Sequence, residues 1–108
     1  MAANRRRGEV SGTIGGQERR LCLTLGALAE LEDAFSVDDL GALAQRFSAG
    51  SLSARDLTRI IGAGLRGAGA TIDDEEVARM EVEGGAAGAA RLAAELLSAA
   101  FGEAPANP

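Results

Sequence analysis

The chain has 108 residues with a formal net charge of −5, a length that fits one domain with a modest core. The acidic balance argues against nucleic acid as the main partner. The sequence has no histidine, so it lacks the commonest general base and metal ligand, and its single cysteine, Cys22, excludes an internal disulfide and a thiolate metal cluster. We therefore expect no cofactor and no bound metal.

No segment predicts export or membrane insertion. The first eight residues carry positive charge, but no apolar run follows them. The most apolar stretch, residues 84–101, is mostly alanine and glycine and contains Arg91 and Glu95. We expect a cytoplasmic protein with no membrane partner.

The expected organisation is a single α+β domain over residues 8–102. Residues 1–7 end in three arginines and are predicted to be a flexible basic arm. Residues 103–108 are predicted to be a disordered tail. Within the domain, the pattern indicates an N-terminal two-stranded antiparallel hairpin followed by four to five short helices.

The hairpin is predicted from alternation on both sides of a glycine pair. Strands over residues 9–14 and 17–23 flank Gly15-Gly16, which suits a two-residue turn. Because two strands alone are marginal in water, helices must cover the apolar face. That face carries Val10, Ile14, Leu21 and Leu23.

Two helices with a shared motif are predicted next. The first spans residues 24–34, and Ser36 with Asp39 resembles a capping box that opens a second helix through Phe47. The phrase Leu-Gly-Ala-Leu-Ala starts at residue 25 and recurs at residue 40. Helical spacing puts two apolar sets inward: Leu25, Leu28, Leu31 and Phe35, then Val37, Leu40, Leu43 or Ala44, and Phe47.

Three further helices follow from caps and glycines. Ser53 with Asp56 predicts a capping box for a helix that Gly67 to Gly69 ends, with Leu57, Ile61 and Leu65 on one side. Asp73 with Glu76 caps a short helix containing Val77 and Met80. After Gly84-Gly85, a final helix is predicted over residues 86–101.

Several motifs have both a chemical and a structural interpretation. Gly62, Gly64 and Gly67 match the dinucleotide fingerprint, but a helix rather than a strand precedes them, so close helix packing is favoured. The acidic run at residues 73–76 lacks the spacing of a calcium loop and suits the first turn of a helix. Cys22 has no histidine to activate it, and we do not expect an enzyme.

Several segments in order resemble the small tail protein family of gene transfer agents and related phage-like elements of alphaproteobacteria. The resemblance covers roughly residues 7–102. The segments are Arg7-Gly-Glu-Val10, Leu21-Cys-Leu-Thr-Leu-Gly-Ala-Leu-Ala-Glu-Leu-Glu32, Leu52-Ser-Ala-Arg-Asp56, Ala63-Gly-Leu-Arg-Gly-Ala-Gly69, Asp74-Glu-Glu-Val77 and the Gly84-Gly85 break.

The resemblance implies a role in building a phage-like tail, as a tail assembly chaperone or as a tail tube component. We expect a non-enzymatic chaperone that binds the tape-measure or tube protein, with self-association as a further possibility. The alternative is a structural tube component kept in the mature particle. The expected contact surfaces are the open edge of the hairpin and the two-helix segment. Its predicted partner-binding residues are Leu25, Leu28, Leu31, Phe35, Leu40, Leu43 and Phe47.

Overall fold

A computed structural model describes residues 8–48 and 51–102. In these residues a two-stranded antiparallel hairpin precedes five helices, which confirms the predicted α+β class. The predicted basic arm and C-terminal tail lie outside the described residues. The elements are β1 (Glu9–Ile14), β2 (Gln17–Cys22), α1 (Leu25–Ala34), α2 (Leu40–Ser48), α3 (Ala54–Gly67), α4 (Asp74–Arg79) and α5 (Gly85–Phe101).

The hairpin has the register that the predicted two-residue turn at Gly15-Gly16 requires. Val10 pairs with Leu21 and Ile14 with Gln17. Gly15 and Gly16 have φ angles of 64° and 80°, a conformation that favours glycine at both turn positions. The four predicted apolar residues of the hairpin are all buried: Val10, Ile14, Leu21 and Leu23.

Helix α3 is the centre of the core. It packs against β2, α1, α4 and α5, so the hairpin's apolar face and three helices meet on it. Each large apolar side chain that is fully removed from water contributes about 1.5–3 kcal/mol. The most deeply buried ones are Ile14, Leu21, Leu31, Leu43, Ile60, Ile61, Leu65 and Leu96.

Two of the three predicted helix caps are present. Ser53 Oγ accepts a hydrogen bond from Asp56 N at 3.0 Å, and Asp56 Oδ2 accepts one from Ser53 N at 3.0 Å. This reciprocal capping box begins α3. Asp73 Oδ1 accepts a hydrogen bond from Glu76 N at 2.9 Å and caps α4.

The predicted capping box of Ser36 and Asp39 is wrong. Helix α2 begins at Leu40, and Asp39 Oδ1 accepts a hydrogen bond from Ala42 N at 2.8 Å. Ser36 instead has a φ of 56° and donates its N–H to Asp33 O at 3.2 Å. It therefore belongs to the turn that ends α1, and Asp39 caps α2 from its own position.

The predicted inward positions of two leucines are also wrong. Leu25 is 79% exposed and Leu40 is 41% exposed. Each is the first residue of its helix, and the buried positions of the helix begin only after it. The residues three positions later, Leu28 and Leu43, are buried in both copies of the repeated motif.

The segment after α4 adds an unpredicted contact to the sheet. Met80 has extended backbone angles and lies outside α4, contrary to the prediction. Val82 then forms an isolated antiparallel bridge with Ile14, and Glu83 N donates to Thr13 O at 2.9 Å. The outer edge of β1 is therefore partly paired near the turn, and less of it is open than predicted.

Candidate functional site

The seven predicted partner-binding residues do not form one accessible surface. Leu25 and Leu40 are exposed, and Phe35 is half-buried. The other four lie in the core: Leu28, Leu31, Leu43 and Phe47. The inner faces of α1 and α2 thus belong to the core, and of the seven residues Leu25 and Leu40 are the exposed ones.

An apolar groove opens between α3, α4, residues 80–82 and the start of α5. Its volume is about 500 Å³, within the range of small-molecule sites. Its walls are mostly apolar or small, and Glu81 is the one charged lining residue in the part of the chain described. The lining consists of Ala54, Leu57, Thr58, Ile61, Val77, Ala78, Met80, Glu81, Val82, Gly85, Ala86 and Ala89.

Local sequence features explain how the groove forms. The α3 stripe that includes Leu57 and Ile61 was predicted, and both residues contribute to one wall. The wall opposite depends on the strand-like segment that starts at Met80. Its signal is the alternation Met-Glu-Val-Glu over residues 80–83, which is typical of a strand. The bridge to β1 places Val82 in the groove wall.

A second concavity, the arginine cleft, lies where α1, α2 and α3 meet. We define it by Phe35, Arg46, Arg55, Asp56 and Arg59, which line a space of about 590 Å³. The guanidinium carbon of Arg46 lies 5.1 Å from the centre of the Phe35 ring, and that of Arg59 lies 5.7 Å away. Two cations therefore stack on one aromatic ring, which fixes their positions.

Asp56 anchors the inner side of the arginine cleft. Arg46 Nη2 donates to Asp56 Oδ2 at 3.2 Å, in addition to the bond from Ser53 N. Burial opposes ionisation of the carboxyl group. The hydrogen bonds from Ser53 and Arg46 outweigh that effect and hold the pKa of Asp56 below its usual value. The carboxylate is thus ionised at neutral pH, and its Oδ2 accepts both hydrogen bonds.

Arg66 links three helices on another side of the domain. Its Nη2 donates to Glu30 Oε1 at 2.7 Å, and its Nη1 donates to Asp74 Oδ1 and to Ile72 O, both at 3.0 Å. The bond to Glu30 makes the largest contribution in raising the pKa of Arg66. One acid of the predicted acidic run is therefore part of an interhelical ion pair.

The three glycines of the fingerprint lie inside α3 and permit close packing, as predicted. A Cβ at Gly62 would overlap the carboxylate of Asp74, and one at Gly67 would overlap the carbonyl oxygen of Cys22. A Cβ at Gly64 would be in tight contact with the side chain of Leu96. Because the glycines are helical and covered by neighbours, they do not form the strand–loop–helix that holds a pyrophosphate.

Cys22 is half-buried at the end of β2. Burial raises the pKa of its thiol above the usual value, and Glu9 adds to the increase. Among residues 8–48 and 51–102, no three His, Cys, Asp or Glu side chains are grouped to hold a metal ion. None of the helices described there has the length and apolar content to cross a bilayer.

The fold and its two concave surfaces define a small α+β protein of one hairpin and five described helices. The sequence model of the family described as phage tail tube protein, GTA-gp10, matches residues 7–103. The chain therefore belongs to this phage tail tube protein family, as the sequence resemblance predicted. Neither a curated protein nor a solved structure matches significantly.

Proposed function

We propose that the chain is a non-enzymatic tail assembly protein that holds an apolar segment of the tape-measure or tube protein in the apolar groove. The observation that carries this proposal is the groove itself, which is open to solvent and has one charged lining residue among those described. Clefts lined mainly by apolar side chains with few polar groups are the usual form of binding sites in soluble proteins. The proposed occupant is an amphipathic helix whose apolar side chains enter the groove.

The content of β-structure supports the assembly role over a structural one. A tube subunit contributes strands to a sheet that closes around a lumen, and closure needs paired edges. The described residues contain a two-stranded hairpin and one isolated bridge. The second candidate, a structural tube component retained in the particle, is favoured by the family description.

Two matched substitutions in α5 test the groove. Ala86 and Ala87 are both exposed in the first turn of α5. Of the two, only Ala86 lines the groove. An acid at either position is favourable for the helix dipole, by about 0.3–1 kcal/mol, so neither change disfavours the fold. Ala86→Glu puts a charge against the apolar ligand, whereas Ala87→Glu does not.

The measurement is co-purification from a tail-producing strain that carries each variant in place of the wild-type chain. We expect Ala86→Glu to reduce capture of the tape-measure or tube protein by about tenfold or more, because an unpaired charge is buried against the partner. Ala87→Glu should bind as wild type does. Equal capture by both variants would refute the groove as the binding site.

Mass spectrometry of purified particles distinguishes the two candidates. An assembly chaperone acts in the cytoplasm and is absent from particles or present at trace level. A tube component is present at a copy number comparable to other tail proteins. Stoichiometric recovery would refute the assembly role and support the alternative. Normal tails in a strain that lacks the chain would refute both roles.

A further inference from the structure

The lining of the apolar groove leaves space for large side chains from a ligand. Leu57, Met80 and Val82 are half-buried, so part of each apolar side chain remains in contact with water. Five other lining residues are small: Ala54, Ala78, Gly85, Ala86 and Ala89. A segment that fills the groove therefore has to supply the bulky apolar groups itself.

Glu81 places a fixed negative charge at this groove. Its side chain is exposed and forms no hydrogen bond or ion pair with a residue that the structure describes. Its backbone is held by the hairpin, because Gly15 N donates to Glu81 O at 2.7 Å and the bridge between Val82 and Ile14 follows directly. A group that is already held in position loses little freedom when it pairs with a ligand.

A ligand that covers the groove changes the surroundings of the Glu81 carboxylate. The carboxylate loses water when apolar surface closes beside it, and this loss is unfavourable unless a cation or a hydrogen-bond donor replaces the water. An acidic group of the ligand at the same place would add repulsion between like charges. No arginine is among the described lining residues, so within the groove the compensating cation comes from the ligand.

We infer that the groove selects a basic amphipathic helix of the tape-measure or tube protein, with a lysine or arginine on the flank next to Glu81. The apolar face of this helix carries large aliphatic or aromatic side chains. From Ala54 to Ile61, α3 contributes roughly 10 Å to the groove, which matches about two turns of a bound helix. The inference rests on the proposed function, because it takes the groove as the binding site, and it adds the charge of the bound segment.

Designed peptides test the charge preference. Three amphipathic peptides of roughly 16 residues, long enough to form a helix, share one leucine stripe and differ only at the positions on both flanks of it. These positions are lysine in the first peptide, glutamine in the second and glutamate in the third. Fluorescence anisotropy measures the binding of each labelled peptide to the purified full chain, and circular dichroism confirms the fold of each variant.

Glu81→Arg has a matched control in Glu83→Arg. Both glutamates are exposed and lie in the same short segment, but Glu83 is not among the groove-lining residues. The two substitutions change the net charge of the chain by the same amount, so they alter long-range attraction to a charged peptide equally. Glu81→Gln is a second variant at the groove, and it removes the charge without reversing it.

We expect the wild-type chain to bind the lysine peptide about fivefold or more tightly than the glutamate peptide, and Glu81→Arg to reverse this order. Glu81→Gln should reduce the preference, whereas Glu83→Arg should keep the wild-type order. Raising the salt from roughly 0.05 to 0.5 M should reduce the wild-type preference, because salt screens exposed charges.

Two results would overturn the inference: a lysine peptide that does not bind the wild-type chain at about 1 mM, or a preference that Glu81→Arg and Glu83→Arg change equally. The uncharged flanks of the glutamine peptide separate this failure from a failure of the proposed function. If Ala86→Glu weakens the binding of that peptide while Glu81→Arg keeps the lysine preference, the groove is the site and the inferred charge selection is wrong. If Ala86→Glu leaves the binding of the glutamine peptide unchanged, the groove is not the site, and the proposed function fails.

Discussion

Replacing Asp56 with alanine tests how strongly one buried carboxylate connects α2 to α3. The substitution removes the hydrogen bond from Ser53 N to the carboxylate, which is the Asp56 half of the capping box, at a cost of about 1–1.5 kcal/mol. It also removes the Arg46 ion pair, to which we assign about 1 kcal/mol because the Arg46 side chain is 37% exposed. We expect a loss of about 2 kcal/mol in the free energy of unfolding, which corresponds to roughly 10 °C in Tm for a domain of this size.

Urea unfolding followed by circular dichroism measures this loss at pH 7 and again in acid. The folded-state pKa of Asp56 is lowered, so its stabilisation is present above the usual carboxyl range and is lost as the pH falls through the folded value. The difference in the free energy of unfolding between wild type and Asp56→Ala should therefore become smaller in acid. Asp33→Ala, at an exposed acid whose side chain has no described bond, is the control. A difference in the free energy of unfolding of less than about 0.5 kcal/mol at pH 7, or a difference that does not change with pH, would refute this account.

Four other predictions follow from the surroundings of single residues. Gly67→Ala should destabilise the domain by about 1–3 kcal/mol in urea unfolding, because its Cβ would overlap a carbonyl group. Gly26→Ala, in an exposed turn of α1 where a Cβ would make only an ordinary contact with Thr24 Oγ1 at 3.8 Å, should instead be neutral or stabilise by up to about 1 kcal/mol. Equal destabilisation by the two alanines would contradict the packing argument. Arg66→Met should cost about 1–2 kcal/mol in low salt and less in 0.5 M salt, and a salt-independent cost would exclude an ionic cause. Cys22 should react with iodoacetamide more slowly in the folded chain than in urea at pH 8, since burial raises its pKa; equal rates would show an accessible thiol of ordinary pKa.

The elements that were predicted correctly are determined by interactions between residues that are close together in the sequence. The hairpin register follows from a two-residue glycine turn and strict alternation, both readable within fourteen residues. The Ser53–Asp56 capping box is equally local, because donor and acceptor are three residues apart. The glycines of α3 were also assigned correctly, since the element before them is a helix.

The parts that the sequence did not predict depend on tertiary contacts. Leu25 fits the helical stripe, yet it is exposed because the core contacts of the first turn of α1 are made by Ala27 and Leu28 instead. Serine is a residue type that often caps helices, but in the turn after α1 the backbone of Ser36 has a left-handed φ angle. Neither candidate surface was predicted as a unit, because each brings together three or more separate elements.

The pairing of Val82 with Ile14 has a consequence for the order of folding. One partner lies in the first strand and the other follows α4, so the bridge can form only after every element except α5 has been synthesised. Contacts between such distant segments carry a large loop-closure entropy and are slow to form. Because this pairing positions a wall of the groove, an unfinished or partly unfolded chain has no complete groove. A partner that binds there would thus select fully folded copies.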